Sequence, residues 1–210
     1  MDQVGPHLEY AASNNIVNNH VFRNGVFDNI GVLGVRSDHN LIQGNTVTDN
    51  FSVGLNSVGI GTNIELNAFL DFGLPDRGAS QIGNQVIHNT SRRAYRYGIS
   101  DRANVGEQII GNTSTGSGVG DSVDGVGMGL QPLLASTRDL QGLIQANTVN
   151  GNSDCGIQVQ GFGSRIIGNT AVGNGFNPII NTSNCNYSDL TDNGGSQPPS
   201  CPNQWLANTY

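Results

Sequence analysis

Residues 166–174 read IIGNTAVGN: an aliphatic residue, two spacers, then Asn and Thr. The opening phrase recurs along the chain, and the steps between its Asn residues are 26, 22, 22, 23, 35 and 22 positions. Repetition at a period in the twenties is typical of a solenoid, in which each lap buries its apolar face only against neighbouring laps. The copies are IVNN at 16–19, IQGN at 42–45, IELN at 64–67, VIHN at 86–89, IIGN at 109–112, IQAN at 144–147 and IIGN at 166–169.

The contents of each repeat indicate which kind of solenoid this is. The apolar runs last only two to five residues and lie between Gly, Asn and Asp, which favours short strands and turns over helices. Counted from the repeated Asn, a Gly falls nine residues on and an aliphatic residue ten on in three copies, as at Gly98–Ile99 and Gly156–Ile157. Agreement in several columns predicts parallel strands stacked from lap to lap.

Two columns have a clear physical role in such a stack. Equivalent residues of neighbouring parallel strands lie about 4.8 Å apart, so stacked Asn side chains hydrogen-bond to one another, and Asn tolerates a tight bend. The residue three places before each Asn is Ile or Val in every copy, which is typical of a buried strand column. We therefore expect an Asn ladder beside a β-branched core, the ladder holding Asn19, Asn45, Asn67, Asn89, Asn112, Asn147 and Asn169.

The repeat also carries a family resemblance. The unit I-x-G-N-T-x-x-x-N, followed by G-I-x-V as at residues 156–159, resembles the right-handed parallel β-helix repeat of the pectate-lyase-like superfamily. The resemblance extends over roughly residues 8–180. It implies the scaffold alone, because lyases, hydrolases, epimerases, phage tailspikes and proteins without known activity share it.

We predict one all-β domain, a right-handed parallel β-helix of about seven to eight coils. Its predicted parts are an N-terminal partial cap at residues 1–12, the β-helix at 13–180 and a Cys-containing C-terminal cap at 181–210. Solenoid ends need cover because they offer unpaired strand edges, and residues 1–12 are short for this task. An oligomer contact at the N-terminal coil, or a missing preceding region, is therefore expected.

Charge composition excludes some partners. The formal net charge is −7, and charged residues make up only 12% of the chain, which disfavours nucleic acid or an anionic membrane as a general partner. No apolar stretch approaches the length that spans a bilayer. All nine basic residues are Arg, and four of them lie between positions 92 and 102, so one basic spot stands on an acidic protein.

The three cysteines suggest an exported protein. Cys155 stands one residue before the repeated Gly, where we expect it to point into the core as a free thiol. Cys185 and Cys201 flank a tail rich in Gly, Ser and Pro, and we predict that they pair. The chain carries no signal segment of its own, so secretion implies a leader absent from this chain or, alternatively, a protein that stays inside the cell.

The basic spot is either an ordinary solvated surface or a site for an anionic group, which Arg binds through two hydrogen bonds, and we take it as the candidate site. By strand alternation we expect Arg96, Ser100 and Arg102 to face outward, Tyr97 inward, and Asp154 to share the column of Arg96. The face resembles the polysaccharide grooves of that superfamily, and its Arg residues favour an acidic polysaccharide. In uronate lyases and epimerases of that kind, a base removes the proton α to a carboxylate, whose charge Arg or calcium neutralises. The predicted catalytic residues are Arg96, Arg102, Tyr95 and Asp154.

Substrate binding is assigned to further charged residues around this face. A thirteen-residue insertion lengthens the fifth lap, and protruding loops of solenoids usually carry function. Its sequence DSVDG is a candidate for calcium binding or, alternatively, a flexible acidic loop, so calcium is a possible cofactor. A His/Cys metal cluster is not expected. The predicted substrate-binding residues are Arg36, Arg92, Arg93, Arg138, Asp121 and Asp124.

Other interpretations of these residues stay open. The stretch YGISDR at 97–102 is only partly similar to the Tyr-Gly-x-Asp-Pro-His stretch of alginate epimerases, since it lacks the Pro and His. A hydrolase needs two carboxylates at a set separation, which Asp121, Asp124 or Asp154 would have to supply. The alternative class is a non-catalytic carbohydrate-binding or adhesin-like β-helix. A Thr row follows the Asn column, but it is interrupted by Ala68, which disfavours ice binding.

Overall fold

In a computed structural model, the 210-residue chain forms parallel sheets of short strands. The structure describes residues 6–9, 11–22, 30–33, 37–48, 64–67, 81–102, 104–118, 125–131, 141–153, 155–159, 163–175, 190–192 and 204–210.

Within those ranges the regular structure consists of short strands and no helix. In chain order the strands are β1 (His7–Glu9), β2 (Asn15–Val17), β3 (His20–Phe22), β4 (Ile30–Leu33), β5 (Leu41–Gln43), β6 (Thr46–Thr48), β7 (Ile64–Asn67), β8 (Gln81–Ile82), β9 (Gln85–Ile87), β10 (Thr90–Arg92), β11 (Tyr97–Arg102), β12 (Asn104–Val105), β13 (Gln108–Ile110), β14 (Thr113–Thr115), β15 (Val126–Gln131), β16 (Leu143–Gln145), β17 (Thr148–Asn150), β18 (Ile157–Val159), β19 (Arg165–Ile167), β20 (Thr170–Val172), β21 (Leu190–Asp192) and β22 (Gln204–Leu206).

Three parallel sheets line the solenoid, and the chain visits them in turn on each lap. Sheet A has the order β1-β4-β7-β11-β15-β18-β21, sheet B the order β2-β5-β9-β13-β16-β19-β22, and sheet C the order β20-β17-β14-β10-β6-β3. Strands β8 and β12 form a small parallel pair between laps. The predicted all-β parallel β-helix is therefore confirmed.

A file of buried Asn side chains runs along the corner between sheets B and C. Asn89 is typical: its Oδ1 accepts hydrogen bonds from the backbone N–H of Asn45 at 2.9 Å and from Asn45 Nδ2 at 2.9 Å. Its Nδ2 donates to Ile42 O at 2.9 Å and to Asn112 Oδ1 at 3.0 Å. Each amide thus satisfies groups of both neighbouring laps. The file contains Asn19, Asn45, Asn89, Asn112, Asn147, Asn169 and Asn208.

Asn67 does not belong to this ladder, so that part of the prediction is wrong. Strand β7 lies in sheet A, where Ile64 pairs with Ile30 and Ile99, whereas Asn45 bonds directly to Asn89. The phrase IELN has the same pattern as the ladder motif because β7 of sheet A also carries a buried aliphatic residue, Ile64, three positions before an Asn. Residues 45–89 therefore form one long lap, and Asn208, which no Ile-x-x-Asn phrase marked, supplies a further rung.

The core lies inside the coil and consists of stacked aliphatic columns. The column predicted from the repeat is confirmed for Ile16, Ile42, Val86, Ile109, Ile144 and Ile166, all buried in one cluster. Sheet A contributes a second column, which holds Ile30, Ile64, Ile99, Met128 and Ile157. Stacking like residues at a fixed spacing fills the narrow interior at high density.

Both terminal segments extend the sheets. β1 pairs with β4, β21 with β18, and β22 with β19, while Thr209 bridges to Thr170. The boundaries assigned to the two caps, and an oligomer contact at the N-terminal coil, stay predictions. Gly54 and Leu55, which the sequence placed in the Gly and aliphatic columns, lie outside the described residues.

We expect Asn112→Ala to lower the free energy of unfolding by about 2–4 kcal/mol. The change leaves the buried N–H groups of Asn89 without their acceptor, which costs about 1–3 kcal/mol per group. Urea unfolding followed by circular dichroism measures the loss. The control is Asn15→Ala on the exposed face of β2, which should change stability by no more than about 0.5 kcal/mol. Equal effects of the two changes would contradict a stabilising ladder.

Candidate functional site

A basic turn joins sheet C to sheet A in the lap between the ladder residues Asn89 and Asn112. Arg92 ends β10 and Arg93 follows it, and both side chains are exposed. Arg93 has a φ of 50°, and its N–H donates to Thr115 O at 2.8 Å. The next laps place Gly116, Gly151 and Gly173 at the equivalent bend, with φ of 64–68°, because a side chain there costs about 1–2 kcal/mol. An Arg retained at a strained position is a functional candidate.

The side chain of Arg93 extends along the solenoid rather than away from it. Its Cγ lies 3.5 Å from the position that a Cβ on Gly116 would take, so the stem rests against the turn of the next lap. The side chains of Arg92 and Arg93 therefore lie at the corner of the coil between sheets C and A. This placement agrees with the prediction of a local cationic spot on an acidic protein.

Arg96 and Tyr97 form a cation–π pair where sheet A begins. The guanidinium carbon of Arg96 lies 5.2 Å from the centroid of the Tyr97 ring, and the Arg96 side chain is half-buried. Tyr97 is 3% exposed and packs with Val126 and Cys155 in a cluster separate from the main core. A guanidinium held over a ring is positioned by the ring's negative face.

Tyr97 lies on the outer side of sheet A, so the prediction that it faces inward is wrong. A Cβ on Gly98 would overlap Ser114 Oγ of sheet C, which places that position toward the interior. A Cβ on Gly129, whose neighbour Met128 is in the core, would lie 3.0 Å from Tyr97 Cε1. The chain bends between Gly98 and Ile99, because Ile99 also belongs to the core. The alternation of inward and outward side chains along the strand is therefore interrupted at Gly98.

The strand after the bend places Ser100 outward and Asp101 inward. Ser100 pairs with Gly129, while Asp101 pairs with Leu66 and Leu130. Both residues are 0% exposed. In the Tyr-Gly-x-Asp-Pro-His stretch the Asp comes one position earlier than Asp101 does here. A shift of one residue turns a strand side chain to the opposite face, so Asp101 cannot take the place of that acid.

Asp101 instead meets Glu107 inside the coil, a pair that the sequence reasoning missed. Both carboxyl groups are 0% exposed. Burial, and then the charge of Asp101, raise the pKa of Glu107 well above its usual range. Gly142 leaves room for the carboxyl group of Glu107, because a Cβ at this glycine would overlap Glu107 Oε1. Asp101 stands two positions after the core residue Ile99. Strand alternation counted from Ile99 would therefore have predicted that Asp101 points inward.

Glu107 ends a second buried Asn file, at the entrance of sheet B. The N–H of Asn14 donates to Asn40 Oδ1 at 2.9 Å, and that of Asn40 donates to Asn84 Oδ1 at 2.8 Å. The next equivalent position holds Glu107, whose carbonyl accepts from Leu143 N at 2.9 Å. An ionisable side chain thus takes a position where earlier laps hold a neutral amide.

Cys155 is disulfide-bonded, which overturns the prediction of a free thiol. It is 0% exposed and packs beside Tyr97 and Val126 on the outer side of sheet A. The predicted Cys185–Cys201 pair lies outside the described residues. Because the chain has three cysteines, a bond from Cys155 to either of the others would exclude that pair.

The described part of the chain contains half of the predicted site. Arg92, Arg93, Tyr95 and Arg96 lie together on the turn between β10 and β11, with Tyr95 half-buried. Arg102 ends β11, in register with Asn67 and Gln131. The other predicted residues lie outside the described ranges: Arg36, Asp121, Asp124, Arg138 and Asp154.

Among the described residues, no group of three or more His, Cys, Asp or Glu side chains is arranged to hold a metal ion. The calcium candidates Asp121 and Asp124 are not in that part of the chain. A search of the same residues finds no helix that is long and apolar enough to cross a membrane.

Among solved structures, the chain is similar to the periplasmic alginate epimerase AlgG. A double mutant of that protein superposes with a TM-score of 0.50 at 12% identity, covering 99% of this chain and 47% of the other. A second AlgG crystal structure superposes with a TM-score of 0.45 at 13% identity, covering 97% and 38% of the two chains. This chain therefore spans less than half the length of either. No protein-family model and no curated protein matches it. The likeness shows a shared β-helix fold.

We expect Glu107→Gln to change how stability depends on pH. The folded state raises the pKa of Glu107 above its unfolded value, so the native protein binds this proton more tightly than the unfolded chain does. The resulting stabilisation is full below the unfolded pKa and is lost as pH rises through the folded one. Thermal midpoints measured from about pH 4 to about pH 9 should fall in the parent protein, and fall less in the variant.

Asp101→Asn is the companion change, because it removes the charge that opposes ionisation of Glu107. It should also flatten the decline of the thermal midpoint on the alkaline side. Three parallel curves for the parent and both variants would show that the two carboxyl groups are not coupled to folding.

Proposed function

We propose that this β-helix binds an acidic polysaccharide at the basic turn of residues 92–96. The observation that supports it most directly is the pair of exposed guanidinium groups, Arg92 and Arg93, on one corner of a protein whose net charge is −7. Guanidinium groups bind carboxylates through two parallel hydrogen bonds, which suits the repeated carboxylates of a uronate polymer. The structural neighbour is an alginate epimerase, which agrees with this substrate class.

Proton abstraction from the bound uronate, in a lyase or C5-epimerase reaction, is the second candidate function. It is favoured by the Arg96 guanidinium held over Tyr97 on the outer side of sheet A, next to the half-buried Tyr95. In this proposal Arg96 or Arg102 neutralises the substrate carboxylate or acts as base, and Tyr95 donates the proton with Asp154 assisting. Further contacts are proposed for Arg36, Arg138, Asp121 and Asp124.

The non-catalytic alternative keeps the same binding site without turnover. It is supported by the inward position of Asp101 and by the burial of Ser100, Tyr97 and Gln158 along the outer side of sheet A. Any turnover would therefore depend on the side chains of the turn at residues 92–96, and not on an open groove over the outer side of sheet A.

We further propose that the protein works outside the cytoplasm. The disulfide bond of Cys155 supports this, because such bonds persist in oxidising compartments. The periplasmic origin of the structural neighbour agrees with it.

The double change Arg92→Ala/Arg93→Ala should weaken binding to polygalacturonate and alginate by about ten-fold or more, because it removes the charge-assisted hydrogen bonds. Titration calorimetry at low and high salt measures the effect, and salt should weaken binding by the parent protein. The matched control is Arg165→Ala, an exposed Arg of β19 in sheet B, which should bind like the parent. Equal losses in both variants would refute a localised site.

For turnover, ultraviolet absorbance of the unsaturated product reports a lyase, and proton exchange at the uronate C5 in heavy water reports an epimerase. We expect Arg96→Ala to lower the rate at least ten-fold, because the developing charge on the carboxylate loses its neutraliser. Assays with added calcium and with a chelator test the cofactor. Measurable binding with neither product would leave the binding function and remove the catalytic one.

A further inference from the structure

The outer face of sheet C carries an unbroken file of threonines. In the central strands of this sheet the middle residue is buried and both flanking residues are half-exposed, as in Thr46-Val47-Thr48. The first outward position pairs from strand to strand in register, and Thr209 continues it through a bridge to Thr170. The file consists of Thr46, Thr90, Thr113, Thr148, Thr170 and Thr209.

The expected interruption of this file by Ala68 is wrong. Ala68 follows Asn67, which ends a strand of sheet A, and Thr46 pairs directly with Thr90. The N–H of each Thr donates to the carbonyl of a ladder Asn in the preceding lap, at 2.8 Å for Thr90 and for Thr113. The Asn ladder thus holds the hydroxyl groups at the strand spacing of about 4.8 Å.

A second outward column runs beside the first, about 6.6 Å away along each strand. It contains Thr48, Arg92 and Thr115 in consecutive register, with Asn150 next. The exposed side chain of Arg92 therefore lies within the threonine face, and Arg93 borders it. The six strands of sheet C contain no Asp or Glu. Arg92 is therefore the charged Arg or Lys side chain within the strands of this face.

The face ends at the first lap in aromatic residues. Phe22 is 52% exposed, and its ring centroid lies 6.3 Å from that of His20. His20 pairs with Thr46 and Phe22 with Thr48, so both rings continue the two outward columns. An exposed aromatic ring offers an apolar surface on which a sugar ring can stack.

Resting on the proposed function, we infer that the outer face of sheet C is the platform along which the acidic polysaccharide lies, with its chain parallel to the solenoid axis. A linear polymer meets similar hydroxyl partners on successive laps, while Arg92 and Arg93 bind its carboxylates and Phe22 stacks on a terminal sugar. Charge complementarity and direct continuity with the basic turn distinguish this occupant from an uncharged one. The face is separate from the covered outer side of sheet A.

The test replaces two central hydroxyl groups by methyl groups of the same shape, in Thr113→Val/Thr148→Val. Each lost hydrogen bond should weaken binding about five-fold, so the double variant should bind polygalacturonate and alginate at least ten-fold more weakly. Thr113→Ser/Thr148→Ser keeps the hydroxyl groups and should retain most of the affinity. Gln145→Leu, on the exposed face of β16 in sheet B, is the control and should bind like the parent. Circular dichroism and thermal midpoints verify that each variant is folded.

The outcomes separate the platform from the basic turn. Unchanged affinity in the folded Val variant, together with lost affinity in Arg92→Ala/Arg93→Ala, would overturn the platform and leave the proposed function standing. Equal binding of neutral dextran would overturn the acidic occupant. A parent protein that binds no polymer would overturn both proposals, and inhibition of ice recrystallisation by that protein would reassign the threonine file to ordered water.

Discussion

Hydrogen bonds of the buried Asn amides are the constraint on which the rest of this structure depends. Each Oδ1 accepts from the backbone and side chain of the preceding lap, and each Nδ2 donates to both neighbouring laps. Inside a coil the amide has no water to replace these partners, so an unmatched lap is costly. The ladder therefore sets the register of every lap, whatever the chain does between rungs.

That constraint explains how laps of very different length coexist. Successive rungs are separated by 26, 44, 23, 35, 22 and 39 residues, yet the hydrogen bonds have nearly the same lengths at every step. The chain meets the same corner at each rung, whatever number of residues separates two rungs. Columns next to the ladder stay continuous, which is why the threonines of sheet C form a file although their sequence spacing is irregular.

The lap between Asn89 and Asn112 departs from its neighbours both outside and inside the coil. Outside, Arg93 holds a bend that later laps give to glycine, and Arg96 lies over a tyrosine that packs on Gly129. Inside, Asp101 and Glu107 replace an aliphatic residue and a neutral amide. Substitutions against the repeat cost stability locally, and these lie in the lap that carries the proposed binding site.

The sequence by itself determined the class of fold, the aliphatic column and most of the ladder, because hydrogen-bonding and packing requirements repeat on every lap and leave a period in the chain. It also determined that the basic residues cluster, since Arg92, Arg93 and Arg96 are close in sequence. Only the tertiary structure decided which sheet an Ile-x-x-Asn phrase joins, because Ile64 of sheet A and Ile42 of sheet B are both buried aliphatic residues three positions before an Asn. It alone decided the outward side of Tyr97, where the bend at Gly98 breaks alternation, and the meeting of Asp101 with Glu107 across a turn. The tertiary structure also decided the continuity of the threonine face, because Thr46 pairs with Thr90 only if residues 45–89 form one lap.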